Sequence, residues 1–196
     1  LQARNQRERL RHFRRAVKDL DLLEATCVAA LVRRDDYDEY LSQMITQITR
    51  EIAYPLLPPI VTSLSQDYFH IYPDFNLLFV PLGEADFLLH LPDLYHELAH
   101  PLISERYDPS VRPIQARLLD ILDMVADYIR QERKKENAGR GGPKQFIDYL
   151  EVWEKSWFYW AVEFFCDLYA VYTIGPAFGW AHLHLYMKRG DNPYQV

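Results

Sequence analysis

The sequence predicts an α+β fold, mainly helical, with a small antiparallel sheet. Three observations carry that reading. Apolar residues recur at helical spacing over most of the 196 residues, one proline-punctuated stretch switches to β-rich runs, and the length suits a single domain able to bury its own core. Residues 1–53 are expected as a helical N-terminal region packed on a core of residues 54–196, the two making one compact unit. Leu1 in place of Met, and an abrupt stop at Val196, leave room for further chain at either end.

Leu10, Phe13, Val17, Leu20, Leu23, Cys27 and Leu31 set the first helical stripe, and Tyr37, Leu41, Met44, Ile45, Ile48 and Ile52 the second. From Tyr54 to Leu82 the prolines Pro55, Pro58, Pro59 and Pro73 act as breakers, and Tyr68–Tyr72 and Leu77–Val80 read as strands of a small sheet or hairpin. After Gly83 the pattern is helical again. Pro92 fits a first helical turn, where its missing N–H costs nothing, and Pro101 ends or bends that helix just past His100. The next helix runs from Pro113 to about Lys134, with Ile114, Leu118, Ile121, Leu122, Val125 and Ile129 inward and Asp120, Asp123 and Asp127 as a solvated stripe. Asn137 to Pro143 reads as a turn. Trp157 to Ile174 is almost wholly apolar and aromatic, which predicts a helix buried all round until Gly175-Pro176 breaks it.

A net charge of −6 argues against nucleic acid as the main partner. The two cysteines, Cys27 and Cys166, lie outside any C-x-x-C pattern, so neither a disulfide framework nor a cysteine zinc site is indicated, and a reducing, cytoplasmic setting fits. The first twenty residues carry Arg4, Arg7, Arg9, Arg11, Arg14, Arg15 and Lys18, which is not signal-peptide chemistry. Leu168 to Met187 is interrupted by Gly175-Pro176, His182 and His184, so no membrane span is expected.

The chemistry concentrates in His96-Glu97-Leu98-Ala99-His100. On a helix the two imidazoles, four residues apart, lie about 40° apart around the axis and can share one metal ion. Glu97, about 100° round from His96, can reach a water on that metal without ligating it, the general-base position of H-E-x-x-H metallopeptidases. The plainer alternative makes both histidines solvent-facing and Glu97 a surface charge. A second constellation weighs against it. Glu163 and Asp167 are the only charges in the aromatic run, four residues apart, and a buried carboxylate needs a cation or a hydrogen-bonding partner. Glu163 fits as third metal ligand, and Asp167 can hold the second ring N–H of a bound histidine. The structural alternative pairs both acids with Arg or Lys from another helix.

Together His96-Glu97-Leu98-Ala99-His100 and Glu163-Phe164-Phe165-Cys166-Asp167 resemble the gluzincin pattern, H-E-x-x-H with a later E-x-x-x-D. The resemblance implies a zincin-like core and a zinc-dependent peptidase. His96, His100 and Glu163 would hold Zn2+, Glu97 would be the base and Asp167 would orient a histidine. Metzincin spacing fits less well, because Ile103 and Arg106 stand where that pattern needs Gly and His. An oxyanion donor is sought among His182, His184, Tyr169 and Tyr172, and Leu77 to Leu82 is the expected sheet edge for a peptide or protein substrate, with an ordinary core strand as its competing role. Glu84 and Asp86 are expected to cap the metal helix, and His90 is not counted as a ligand. The alternative from another class is a non-catalytic, zinc-stabilised module whose basic N-terminal helix docks a regulatory protein partner or an anionic surface.

Overall fold

The computed structural model of the chain describes residues 2–65, 68–81, 91–104, 108–139 and 144–188. Glu84, Asp86 and His90 lie outside them. The chain opens with helix α1 (Gln2–Leu23), which passes through a π-helical turn at Glu24–Val28 into α2 (Ala29–Arg33). Helix α3 (Asp36–Glu51) starts at Asp35, whose carboxylate accepts the backbone N–H groups of Tyr37 (3.0 Å) and Asp38 (2.9 Å), satisfying donors that the first turn leaves open. Strands β1 (Ile60–Ser65), β2 (His70–Tyr72) and β3 (Leu77–Pro81) follow, then α4 (Leu91–Ser104), α5 (Arg112–Gly139), α6 (Lys144–Ile174) and α7 (Ala177–Lys188). Gly175, with φ +67°, donates its N–H to the Val171 carbonyl at 2.8 Å and so closes α6 before Pro176.

The sheet corrects the antiparallel expectation: it is mixed, in the order β1-β3-β2. β2 and β3 form the antiparallel hairpin, with Ile71 opposite Leu78, while β1 lies parallel to β3, with Val61 opposite Leu78. Asn76, at φ 49°, makes the hairpin turn. It also anchors β1, donating from Nδ2 to the Pro58 carbonyl (3.0 Å) and accepting the Ile60 N–H (3.0 Å) on its own carbonyl. The expectation that Leu77 to Leu82 forms the exposed edge also fails. β3 is central and buried along its whole length, as its unbroken apolar run requires of a strand covered on both faces.

Helices α3 and α4 cover one sheet face. Leu41, Ile45 and Ile48 of α3 meet Val61, Ile71, Leu78 and Val80 of the sheet and Leu94 and Leu98 of α4 in the main core. Helix α3 also closes the β1 edge: Ser42 Oγ accepts the Val61 N–H (3.1 Å), and the buried Asp38 accepts both the N–H (2.8 Å) and the hydroxyl (2.7 Å) of Ser63. On the other face Leu77 and Phe79 pack with Ala30 of α2. Leu118 and Leu122 of α5 join Ala161 of α6 with Ile103 and Trp157 at their margin. Asp120, Asp123 and Asp127 are exposed, as expected.

Four further expectations change. Helix α1 is not packed on the core: every side chain from Gln6 to Ala25 is exposed, so its apolar stripe faces no core element among the described residues. Helix α6 is not buried all round. Trp160, Phe164, Leu168, Val171 and Tyr172 lie exposed along one side, because α4, α5 and α7 pack against the others. Pro101 does not end α4, which runs on to Ser104; it only removes the N–H that would have reached the Glu97 carbonyl. Helix α5 likewise continues through Asn137 to Gly139, inside the segment expected as a turn.

Candidate metal centre

Helix α4 lies between the sheet and α6, and this crossing assembles the site. His96 and His100, one turn apart, face α6 with ring centroids 5.1 Å apart and planes at 70°. From α6, Asp167 Oδ1 stands 2.8 Å from His96 Nδ1 and Glu163 Oε2 stands 3.3 Å from His96 Nε2. Phe178 of α7 stacks on the His96 ring at 6.1 Å and 10°, fixing its plane. Tyr54 supports α4 from behind, donating its hydroxyl to the Leu98 carbonyl at 2.8 Å.

The hydrogen bond to Asp167 places a proton on His96 Nδ1 and leaves Nε2 to face the Glu163 carboxylate. Two lone-pair-bearing atoms at 3.3 Å repel unless a cation lies between them. In the chain alone a proton fills that role. Burial by itself would lower the His96 imidazole, but the Asp167 hydrogen bond and the charges of Glu97, Asp167 and Glu163 outweigh it and hold it above its ordinary range. A metal ion fits the same place, since two donors about 2.0–2.2 Å from a tetrahedral zinc are themselves separated by about 3.3 Å. His100 is shifted the other way, lowered chiefly by burial and by His96, which keeps it neutral and able to ligate.

A third donor on α6 was not foreseen. His96, His100 and Cys166 each offer a ligand atom, and these atoms all lie within 4.8 Å of one another. Cys166 is fully buried. The sequence, with no C-x-x-C pattern, had not indicated a cysteine zinc site; the structure places Cys166 where it could serve as a ligand. The signal was present in the spacing: Cys166 is three residues beyond Glu163 and one before Asp167, so all three project toward one sector of α6. The donor set of two imidazoles, a carboxylate and a thiol suits zinc.

Glu97 is half-buried on the side of α4 toward β2, where its carboxylate accepts the backbone N–H of Ile71. Burial pushes its carboxyl up to about 7, with Glu163 and Asp93 acting in the same direction and His96 and the Ile71 N–H opposing. A carboxyl poised there can take or give a proton near neutrality.

The structure thus gathers His96, Glu97, His100, Glu163 and Asp167 at one crossing. Tyr172 is not among them. Nine residues beyond Glu163, it lies half a turn round α6 and is 92% exposed. His182 packs its ring against Phe178 at 5.6 Å, one ring removed from His96, and His184 is half-buried farther along α7. Tyr169 is half-buried near Tyr54 and Tyr95. No family model matches the chain, and no curated protein or solved structure matches it.

Proposed function

We propose that the chain is a zinc-dependent peptidase of gluzincin type, in which His96, His100 and Glu163 hold the ion and Glu97 is the general base. The observation that carries this reading is the convergence of Glu97, tuned to about 7, with two imidazoles and the Glu163–Asp167 pair. Zinc bound there would supply a water acidified to about pKa 7 and a Lewis acid for the carbonyl. Glu97 takes a proton from the attacking water and returns it to the leaving amine. Asp167 fixes His96 in the tautomer that ligates through Nε2. His182 and His184 on α7, and Tyr169 on α6, are the remaining donors for the developing oxyanion.

A peptide or protein substrate adds as a strand at β2 rather than at the central β3, because among the described residues β2 is the sheet edge beside Glu97 and β1 is closed by α3. Among the described residues no helix is long and apolar enough to cross a membrane.

Glu97→Gln tests this directly. It keeps metal content and fold while lowering peptide hydrolysis by about 10²-fold or more; retained activity would sink the reading. One observation favours a second function. Helix α1 exposes Leu10, Phe13, Val17 and Leu20 beside its seven Arg and Lys, as expected of a zinc-stabilised module that docks a regulatory protein. Under that function Glu97→Gln changes nothing, whereas Phe13→Asp abolishes docking.

A further inference from the structure

We propose that Cys166 is a ligand of the metal centre, so that His96, His100 and Cys166 hold the ion from the protein interior and Glu163 fills the fourth, solvent-side position as the one ligand a substrate can displace. This rests on the metal-centre reading above and revises its ligand set: Cys166 takes the permanent third place given there to Glu163, which ligates only in a closed resting state.

Three observations carry it. The ligand atoms of His96, His100 and Cys166 cluster within 4.8 Å without help from Glu163. Accessibility divides the donors: Cys166 is 0% exposed and the His96 side chain 15%, while the Glu163 side chain is 57% exposed. A fully buried side chain on a packed helix has nowhere to turn, whereas Glu163 has free rotamers facing solvent. Finally, the charges close. One thiolate and one carboxylate balance a divalent ion within its own ligand set, and Asp167 stays outside that set as the anionic partner of His96. On ligation the Cys166 S–H bond breaks, the sulfur keeps the electron pair and bonds the metal, and the proton leaves to solvent.

Four protein donors leave no position for water, the arrangement of structural rather than catalytic zinc. Hydrolysis at this site therefore requires Glu163 to swing out when substrate enters, leaving His96, His100 and Cys166 as a three-donor set with an open position beside Glu97.

The test is X-ray absorption on the zinc-loaded full chain together with optical spectra of its cobalt(II) form. Expected are one ion per chain, a sulfur shell at about 2.3 Å and a near-ultraviolet sulfur-to-cobalt band. The band is kept in Cys27→Ser, kept in Glu163→Ala and lost in Cys166→Ala. Azide, as a small probe of the fourth position, perturbs the cobalt spectrum of Glu163→Ala at a concentration at least tenfold lower than in wild type. If Cys166→Ala does not fold, the sulfur shell of the wild type decides alone. One bound ion without sulfur overturns the proposal and leaves the peptidase reading standing. Loss of the ion in Glu163→Ala, or equal azide response in both proteins, overturns the displaceable role of Glu163. A folded wild type that binds no ion overturns both this inference and the metal centre itself.

Discussion

Glu97 carries a pH signature of its own. Its carboxyl titrates at about 7 in the folded chain against an ordinary 4.5, because burial penalises the charged form. Between those values the folded chain binds more protons than the unfolded one, so stability falls as pH rises through the window. In chelator-treated protein, Glu97→Gln is therefore expected to be more stable than wild type at pH 8, with the difference gone below about pH 4.5. Urea unfolding at the two pH values checks it, and equal midpoints at pH 8 would show that the carboxyl is not buried as described. Asp167→Ala is expected to lower metal affinity about 10- to 100-fold while leaving the fold intact, because His96 loses the partner that selects its tautomer. The histidines, Glu163 and Asp167 were legible in the sequence because their relation is set within single helices, where spacing fixes direction. Cys166 shared that spacing and was passed over because no C-x-x-C pattern marked it. The exposure of Tyr172, one of four residues considered as oxyanion donors, was not legible, because the aromatic run concealed which side of α6 packs.

Between elements, burial and not propensity separates helices that hold the fold from those that only belong to it. Ile45 of α3 is 0% exposed in the main core, whereas Leu20 of α1 is 63% exposed despite an equally regular stripe. Ile45→Ala is expected to cost about 2–5 kcal/mol and Leu20→Ala less than about 0.5 kcal/mol, read from denaturant midpoints at constant m. A large loss in Leu20→Ala would mean that α1 is packed after all. Periodicity predicted both helices correctly, but amphipathicity states only that a face seeks cover, not where the cover lies. The same limit applies to the sheet. β3 announced burial on both faces through Leu-Leu-Phe-Val, while β1 escaped notice because its inward positions include Thr62, Ser63 and Ser65. Those hydroxyls look polar in sequence, yet Ser63 is satisfied by Asp38 from α3. Asp38→Ala would leave a buried N–H and hydroxyl unpaired and is expected to cost about 1–3 kcal/mol.

For the molecule as a whole, the proposed metal site is also a joint. Helix α4 belongs to the sheet-centred core through Leu94 and Leu98, whereas α6 belongs to a second cluster with α5 through Ala161. His96, His100, Cys166, Glu163 and Asp167 meet where these two assemblies abut, which places three acidic or thiol groups against two imidazoles. On the proposed reading a divalent ion at that joint would bind the folded chain and find no assembled site in the unfolded one, so its free energy of binding would add to stability. Free metal at a hundred times the dissociation constant is expected to add about 2.7 kcal/mol, and each further tenfold about 1.4 kcal/mol. The thermal midpoint should accordingly rise with the logarithm of zinc concentration and fall on chelation. His96→Ala, tested in parallel, should show neither response while keeping its helical signal, because Leu98, Ile45 and Leu78 still fill the main core without the ion. A midpoint in wild type that ignores zinc and chelator alike would mean that the two halves are joined by packing alone and that the convergence of donors at their crossing has no metal to serve.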